Sequence, residues 1–373
     1  MRRSAKPSAV SFVLLASFVL AACGAVPTEA PALPSEPAVG GAGIAVADAL
    51  GRTVQFAEPP RRIVVAGRSS LTIVETLYLF PQAAERLVGL VVGRQRPGDF
   101  LRFVDSTFEA KDVLEVEAGP EQIAPLHPDV VLLRSFMAET LGQPLEQLDI
   151  PVVYVDLETP EQYFRDIVTL GQLFGDHDRV EEIRSFYQAR LDRVSEGLQG
   201  LTDDEKPRVL VVQYTEQGGN VALNIPSATW LQTVEAELAG GFPVWVDASQ
   251  GGGWTIVNFE QVAAWDPDQI YLISYQVDPM QVVQELAADP RWQALRAVQE
   301  GKLYGFAADI FSWDQPDPRW ILGVTWLASK IHPDRIADLN LMDEVSRFFG
   351  QMYGLDQAAI QAHVLPNLKG SVP

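Results

Sequence analysis

The sequence predicts an α/β protein of two lobes, each built on a parallel β-sheet with helices on both faces. Three observations lead to this prediction. Short β-branched runs alternate with helical patterns along the chain, which is typical of parallel sheets. The body of the chain is roughly 330 residues long, which exceeds one comfortable hydrophobic core. A short stretch of sequence also occurs twice, once in each half.

The repeated stretch reads PEQIAPLHPDVVLL at residues 120–133 and FEQVAAWDPDQIYL at residues 259–272. Glu121 aligns with Glu260 and Asp129 with Asp268, at a constant offset of 260 − 121 = 139 residues. Each copy predicts a short helix, a Pro-Asp pair and then a buried strand. The presence of one copy in each half indicates that both lobes contain the same unit of a short helix followed by a buried strand.

The remaining elements follow the same alternation in both halves. In the N-terminal half the pattern predicts helices at about 72–80 and 120–126 and strands at 63–66, 87–92, 130–133 and 152–155. In the C-terminal half it predicts helices at 229–239 and 260–264 and strands at 209–212, 270–273 and 303–306. We therefore expect one lobe at residues 44–158, a second at 201–365 and a short tail at 366–373.

A helical segment at 159–200 lies between the two halves and is predicted to connect the lobes. Its pattern is interrupted around Gly175, and beyond that point apolar residues recur at spacings of three and four. This spacing is typical of a helix with one apolar face. Asp178 with Glu181 three residues later is predicted to cap the start of that helix. The alternative is an ordinary helix packed inside one lobe.

The first 22 residues predict a cleaved signal peptide. Three basic side chains precede an apolar run at 9–22 that is too short for a comfortable membrane span. The run ends in Leu-Ala-Ala followed by Cys23, the only cysteine, which resembles the bacterial lipobox, where this cysteine becomes the lipid-carrying N-terminus. Residues 23–43 are rich in Pro, Ala and Gly and predict a flexible tether. The alternative is an ordinary signal peptide with an incidental cysteine.

The charge of the chain limits its partners. The formal net charge is −21, and removing the three basic residues of the leader leaves 25 − 49 = −24. An acidic surface of this kind argues against nucleic acid or an anionic membrane as a partner. With one cysteine no disulfide framework can form, so stability has to come from the core.

Catalytic and metal-binding motifs are sparse. The four histidines include no pair at metal-ligand spacing, which argues against a zinc site. Direct iron ligation by tyrosines and carboxylates stays open, although no cluster points to it. The glycines at 251–253 lack the Lys-Ser/Thr of a phosphate loop, and no GxSxG elbow is present. We expect a protein that is not an enzyme and holds no permanent cofactor; the alternative class is a lipid-anchored extracytoplasmic enzyme or scaffold.

Taken in order, the motifs resemble the periplasmic-binding domain of ABC importers for ferric siderophores, haem and cobalamin, over about residues 47–365. The resemblance is carried by the two copies of the repeat and by IVVAGRSSL, LVGLVVG, IPVVYVD, TWLQTVEAELAGG, DPRWQALRAVQEGKLYGF and, most specifically, SWDQPDPRWILGVTWLASKIHP. It implies two α/β lobes joined by a single long helix, with a ligand cleft between them. It also implies an extracytoplasmic protein, expected to be a monomer, that delivers its ligand to a permease dimer with its ATPase.

Glu121 and Glu260 are the candidate docking residues. Each lies in the first turn of its predicted short helix, where the helix dipole favours a carboxylate, and capping alone would explain them. The resemblance implies more, because matching glutamates on the two lobes of such proteins form charge pairs with arginines of the permease. The internal repeat would then match a two-fold permease dimer.

A second group of residues is predicted to line the cleft, because α/β folds place ligands on loops after the carboxyl ends of strands. The resemblance adds Trp254 and Arg319 to this group. Arginine binds carboxylates and phosphates through a fork and aromatic rings cover flat surfaces, which suits a large, flat or partly anionic ligand. The alternative for each arginine is a solvated surface position. The other predicted ligand-binding residues are Arg68, Ser69, Arg94, Arg96, Arg134, Tyr214, Tyr275 and Trp313.

The ligand itself is not determined by the motifs, because loops vary freely on a fixed fold. The resemblance implies a small-molecule metal complex, with a ferric siderophore as the first choice. Cobalamin, haem and an oxoanion such as molybdate or tungstate remain open.

We predict that the lobes close by only a few degrees when a ligand binds, because one helix spanning two lobes resists bending more than flexible strands do. Crystal structures of the ligand-free and ligand-bound protein would measure the rotation. A wide hinge rotation between the two would contradict the prediction.

Overall fold

Two β-sheets form the framework of the protein. The computed structural model describes residues 43–92 and 98–373. The predicted signal peptide, Cys23 and residues 23–42 of the tether lie outside these residues, as do Arg94 and Arg96. Within the described chain the predicted α/β class and the two lobes are confirmed.

The first sheet belongs to the N-terminal lobe and is parallel throughout. A hairpin of β1 (Ile44–Ala47) and β2 (Thr53–Phe56) precedes it. The strands of the sheet are β3 (Ile63–Val65), β4 (Leu87–Val91), β5 (Asp112–Leu114), β6 (Val130–Arg134) and β7 (Val152–Val155). They lie in the order β5-β4-β3-β6-β7. Alternate residues, such as Val64 and Val65, enter different apolar clusters, so both faces of the sheet are covered.

The second sheet, in the C-terminal lobe, is mixed and not parallel as predicted. Its strands are β8 (Arg208–Gln217), β9 (Asn220–Ile225), β10 (Phe242–Pro243), β11 (Thr255–Val257), β12 (Gln269–Ile273) and β13 (Leu303–Gly305). The order is β11-β9-β8-β12-β13, with β10 paired to β8, and β9 runs antiparallel to both β8 and β11. The cause is a two-residue turn at Gly218 and Gly219, both with positive φ, which folds β8 back onto β9.

Helices cover both sheets, and several are single turns. In the described chain no helix is long and apolar enough to cross a membrane. The helices are α1 (Leu71–Leu77), α2 (Ala83–Arg86), α3 (Gly98–Val104), α4 (Pro120–Ile123), α5 (Gln143–Glu146), α6 (Pro160–Phe174), α7 (His177–Gly197), α8 (Leu231–Leu238), α9 (Phe259–Trp265), α10 (Pro279–Ala288), α11 (Arg296–Gln299), α12 (Trp320–Ile331), α13 (Leu341–Tyr353) and α14 (Gln357–Ala359).

The helical segment between the sheets consists of α6 and α7. Gly175 ends α6 in the left-handed conformation, where glycine carries no steric penalty, so the predicted interruption is confirmed. The predicted cap at Asp178 is wrong by two residues. Asp176 caps α7 instead, and its carboxylate accepts a hydrogen bond from the backbone N–H of Arg179 at 3.1 Å.

Helix α7 contacts both lobes. The side chain of Arg179 donates to the carbonyl oxygen of Leu79 in the first lobe at 2.7 Å. Further along, the hydroxyl of Tyr187 donates to the carbonyl oxygen of Pro318, which precedes α12 in the second lobe, at 2.5 Å. The ring of Tyr187 is fully buried. The helix is therefore attached to both halves of the protein, as expected of a connector.

The two copies of the repeated stretch fold alike. His127 and Asp266 follow the short helices of the two copies and are both left-handed, with φ of 47° and 41°. The carboxylate of Asp129 then accepts from the backbone N–H of Arg62 at 2.9 Å, and that of Asp268 accepts from the backbone N–H of Arg208 at 2.7 Å. Each aspartate thus ties the start of its own strand to the start of the neighbouring strand.

The arginines at these corners extend the repeat beyond the matching sequence. Arg62 precedes β3 and Arg208 begins β8, the two strands that pair with the second half of each copy. The guanidinium of Arg62 donates to the carbonyl oxygen of Leu126 at 2.6 Å, and that of Arg208 donates to the carbonyl oxygen of Trp265 at 2.9 Å. In each lobe an equivalent arginine therefore hydrogen-bonds to a carbonyl oxygen at the end of the short helix.

Helix α12 is buried on nearly all sides, as a helix that is apolar all round should be. Gly323 lies where a side chain would collide with the loop after β13, since a Cβ atom at this position would come within 2.5 Å of the carbonyl oxygen of Trp313. The glycine therefore allows the helix to pack against that loop. Arg319 occupies the N-cap position of the helix.

Helix α13, near the end of the chain, packs back onto the first lobe. The ring of Phe100 in α3 lies 5.1 Å from that of Tyr353 and 5.9 Å from that of Phe349, both edge-on. Arg179 of α7 donates to the carbonyl oxygen of Met352 at 2.7 Å. Elements from three parts of the sequence therefore share one core at this side of the molecule.

Candidate functional site

The loops after β3, β6 and β7 come together at one edge of the first sheet, as parallel strands require. Arg134, the last residue of β6, is buried there. Its Nη1 donates to Oγ1 of Thr72 at 3.1 Å, and Thr72 in turn donates to the carbonyl oxygen of Ser69 at 3.0 Å. Two residues that the sequence predicts for the cleft, Arg134 and Ser69, therefore lie within one hydrogen-bond network.

Glu158, which the sequence did not indicate, is the counterion of Arg134. Its Oε2 lies 2.9 Å from Nη2 of the arginine, and its side chain is 27% exposed. Desolvation raises the pKa of Glu158, while Arg134 and the backbone N–H of Leu231 oppose the rise. Leu231 begins α8 of the second lobe, so the carboxylate of Glu158 is close to the start of that helix.

The loop that carries Glu158 is strained. The preceding residue, Leu157, has a φ of 58°, a left-handed conformation that is unfavourable for a bulky side chain. The buried carboxylate of Asp166 accepts from the backbone N–H groups of Asp156 at 2.7 Å and of Leu157 at 2.8 Å. These two bonds hold the backbone in a conformation that it would otherwise avoid, and they fix the position of Glu158.

The second lobe contributes aromatic rings. Trp254 and Trp230 are half-buried and meet edge to face, with ring centres 5.5 Å apart. Tyr214 is half-buried as well. The hydroxyl of Tyr275 donates to Oδ2 of Asp314 at 2.6 Å. Of the predicted aromatic residues, Tyr214 and Trp254 therefore present part of their rings to solvent, and Tyr275 is held by a buried carboxyl group.

Arg68 lies on the exposed turn between β3 and α1. Its guanidinium carbon lies 5.7 Å from the ring centre of Phe136, which is 52% exposed and follows Arg134 on the next loop. Ser69 next to it is exposed and left-handed, with a φ of 56°. Arg68 is therefore a solvent-accessible cation at this edge of the first sheet.

Arg319 was predicted to line the cleft, but the structure buries it completely between the lobes. Its Nε donates to Oδ1 of Asp309 in the second lobe at 2.8 Å, and its Nη1 lies 3.2 Å from Oε2 of Glu75 in the first lobe. The guanidinium carbon also lies 4.7 Å from the ring centre of Phe100 and 4.9 Å from that of Phe311. Its environment is a sealed ion cluster, because the surrounding rings exclude solvent.

Trp313 has a similar position. Its ring is fully buried, and its indole N–H donates to Oδ2 of Asp309 at 2.9 Å. Asp309 therefore orients both Trp313 and Arg319. In this structure the two residues support the interface of the lobes from inside and are not accessible to a solute.

The ion cluster contains more carboxyl groups than its arginine can neutralise. Burial raises the pKa of Glu75 to about 7 and that of Asp317 to about 8, although Arg319 opposes both shifts. Burial also raises the pKa of Asp314, and it raises that of Glu235 well above its usual range. Several of these carboxyl groups therefore hold a proton near neutral pH.

The two candidate docking glutamates are both exposed. Glu121 lies in the first turn of α4 and Glu260 in the first turn of α9. Neighbouring Gln261 has a structural role, because it forms a capping box with Asn258. Exposure is what a partner-binding role requires, and the dipole effect alone also accounts for it.

Within residues 43–92 and 98–373 no group of three or more acidic, histidine or cysteine side chains is placed to hold a metal ion.

The protein has two lobes, with a polar network at the carboxyl ends of strands in the first and partly exposed aromatic rings on the second. Residues 106–309 match the family described as periplasmic binding protein, and the chain belongs to that family.

Individual relatives are distant but cover most of the chain. The chain is 22% identical over 334 residues to the molybdate-binding protein MolA of Haemophilus influenzae, covering 83% of this chain and 90% of that protein. It is 23% identical over 311 residues to the iron-uptake system-binding protein of Bacillus subtilis, covering 82% and 92%. A solved ABC transporter solute binding protein from Sulfurospirillum deleyianum has the same fold, with a TM-score of 0.70 at 21% identity over 86% of this chain and 98% of that one.

The ion cluster makes stability depend on pH. Glu75 and Asp317 bind protons more tightly in the folded than in the unfolded chain. Their contribution to stability is complete below the unfolded pKa and is lost as pH rises through about 7 and 8. We expect the free energy of unfolding to fall between about pH 5 and 8, by up to about 1.4 kcal/mol per pH unit for each proton held by the folded chain alone.

Denaturant unfolding at a series of pH values measures this slope. His332, whose pKa burial lowers, acts in the opposite sense, but only near and below its ordinary pKa of 6.5. Glu75→Gln should flatten the slope between about pH 5 and 7, whereas Glu121→Gln, on an exposed helix turn, should leave it unchanged. A stability that is constant or rises between about pH 6.5 and 8 would contradict the prediction.

Proposed function

We propose that the protein is an extracytoplasmic, lipid-anchored solute-binding protein that captures an iron complex and delivers it to an ABC transporter permease. The observation that carries the proposal is the network of Arg134 and Glu158 at the carboxyl ends of the first sheet, with exposed Arg68 on an adjoining turn, in a member of the periplasmic binding protein family. A ferric siderophore is the first choice of ligand. The anchor is Cys23, and the protein acts as a monomer without a permanent cofactor and without catalysis.

The residues proposed for the two walls of the cleft favour a large ligand. Trp230 and Trp254 offer ring surface, and Phe136 with Arg68 offers an exposed ring beside a cation. Aromatic faces and a cation suit a bulky, partly anionic metal complex. The similarity to the iron-uptake system-binding protein of Bacillus subtilis supports iron, while cobalamin and haem remain alternatives of similar size.

Molybdate or tungstate is the second candidate. The similarity to a molybdate-binding protein supports it, as does the buried guanidinium of Arg134, whose Nε has no hydrogen-bond partner among the described residues. Both buried arginines, Arg134 and Arg319, however, already face carboxylates. A bare oxoanion would have to displace a carboxylate with few other contacts to compensate, which favours the larger complex.

Delivery is proposed to use Glu121 and Glu260. Both are exposed, both stand in the first turn of a helix, and the corners that carry them are held by equivalent hydrogen bonds in the two lobes. Two equivalent carboxylates on two similar lobes suit a permease built as a two-fold dimer, with its ATPase attached. The partner is expected to present arginines.

Binding can be followed by tryptophan fluorescence, because Trp230 and Trp254 are partly exposed and Trp254 is predicted to line the cleft. We expect titration with a ferric siderophore to change the emission, and haem, cobalamin and molybdate serve as the comparison series. Trp254→Phe should reduce the change while the protein stays folded. If none of the four ligand types alters emission or melting temperature, the solute-binding role is wrong and an enzyme or scaffold becomes the better proposal.

The docking role separates from ligand binding in a charge-reversal variant. We expect Glu121→Lys combined with Glu260→Lys to retain ligand affinity and to abolish transport in cells that carry the permease, because two charge pairs become repulsive. Glu161→Lys, an exposed glutamate in the first turn of α6, is the matched control and should transport normally. Loss of ligand binding in the double variant would refute the separation of roles.

A further inference from the structure

Glu158 occupies a position with the properties of an anion-binding site. Its carboxylate is bound by the guanidinium of Arg134 at 2.9 Å from one lobe, and it faces the backbone N–H of Leu231 at the start of α8 from the other. Helix amino ends and buried arginines are two features that proteins often use to bind carboxylates and phosphates. Here both converge on a side chain of the protein itself.

The guanidinium of Arg134 does not make all the hydrogen bonds that it could. Arg134 donates through Nη1 to Thr72 and through Nη2 to Glu158, while its buried Nε has no hydrogen-bond partner within residues 43–92 and 98–373. An unmade hydrogen bond from a buried charged group is costly, because the group has given up its bonds to water. An anion with oxygens placed for both Nε and Nη2 would make the bidentate contact that Glu158 does not make.

The position of Glu158 is maintained against a backbone cost. Leu157 directly before it is left-handed, a strained conformation for such a residue and one that clusters at functional sites. Asp166 compensates for the strain through two backbone hydrogen bonds. Asp156, a nearby acid that also acts on Glu158, is itself paired with Arg165 at 2.8 Å. The loop therefore directs the carboxylate of Glu158 at Arg134.

We infer that Glu158 is an internal stand-in for the anionic group of the solute, and that a carboxylate or oxyanion of the incoming ligand displaces it from Arg134 and from the amino end of α8. This inference rests on the proposed function, because it assigns a specificity role within the proposed solute site. Displacement exchanges one anion for another at a buried cation. Neutral solutes gain nothing from that exchange, so the pair selects for anionic ligands.

Glu158→Gln tests the inference in the purified full-length chain. With the competing charge removed, molybdate and ferric citrate, used as anionic probes in calorimetric titrations, should bind at least about fivefold more tightly than to the wild type. Glu161→Gln, the same change on an exposed position three residues away, should bind as the wild type does. Arg134→Met in the Glu158→Gln background should abolish the gain.

Three results would overturn the inference. They are equal or weaker binding of both probes to Glu158→Gln, no binding of either probe to that variant, and an unchanged gain after Arg134→Met. Melting temperatures of all variants confirm that they are folded. If Glu158→Gln gains affinity for molybdate but the wild type binds no ferric siderophore, haem or cobalamin, the inference stands and the proposed capture of a metal complex fails. If the wild type binds a metal complex and Glu158→Gln changes nothing, the function stands and the inference fails.

Discussion

The arrangement of the lobes depends on one buried cation, Arg319. It is fully enclosed, and its counterions come from both sides of the interface, Glu75 from the first lobe and Asp309 from the second. Removing one partner of such a buried pair typically costs about 3–5 kcal/mol, because it leaves a charge in a medium that solvates it poorly. The rings of Phe100 and Phe311 exclude the water that would otherwise compensate. Motion that separates the lobes at this side is therefore strongly disfavoured, and any closure around a solute has to pivot about it.

Much of the architecture could be predicted from local patterns. The β-branched runs located the parallel strands, and the interruption at Gly175 was predicted because glycine ends helices in a left-handed conformation. The repeat predicted two equivalent corners, and Asp129 and Asp268 do form the same backbone hydrogen bonds. The position of Arg134 at the carboxyl end of β6 followed from the rule for parallel strands. Each of these inferences needed only a few consecutive residues.

The rest depended on contacts between distant residues. Glu75 and Arg319 are 244 residues apart, so nothing local distinguished a buried ion pair from a cleft arginine. Glu158 was missed because its role comes from Arg134 and from a helix in the other lobe, and because no pattern predicts the left-handed Leu157 before it. The mixed second sheet is different, since the paired glycines at 218–219 between two β-branched runs are a recognised hairpin signal that was available in the sequence.

Helix α13 has a consequence for how the chain acquires its structure. Phe349 and Tyr353 complete a core whose other members include Phe100, and Tyr353 also hydrogen-bonds to the carbonyl oxygen of Glu75 at 3.4 Å. The first lobe is thus finished by residues that the ribosome adds after every strand of the second sheet. Until they are made, the apolar surface around Phe100 and the carboxyl group of Glu75 stay exposed to solvent. Domains usually fold in the order of their synthesis, but here the first lobe cannot complete its core until the residues beyond the second sheet have been made.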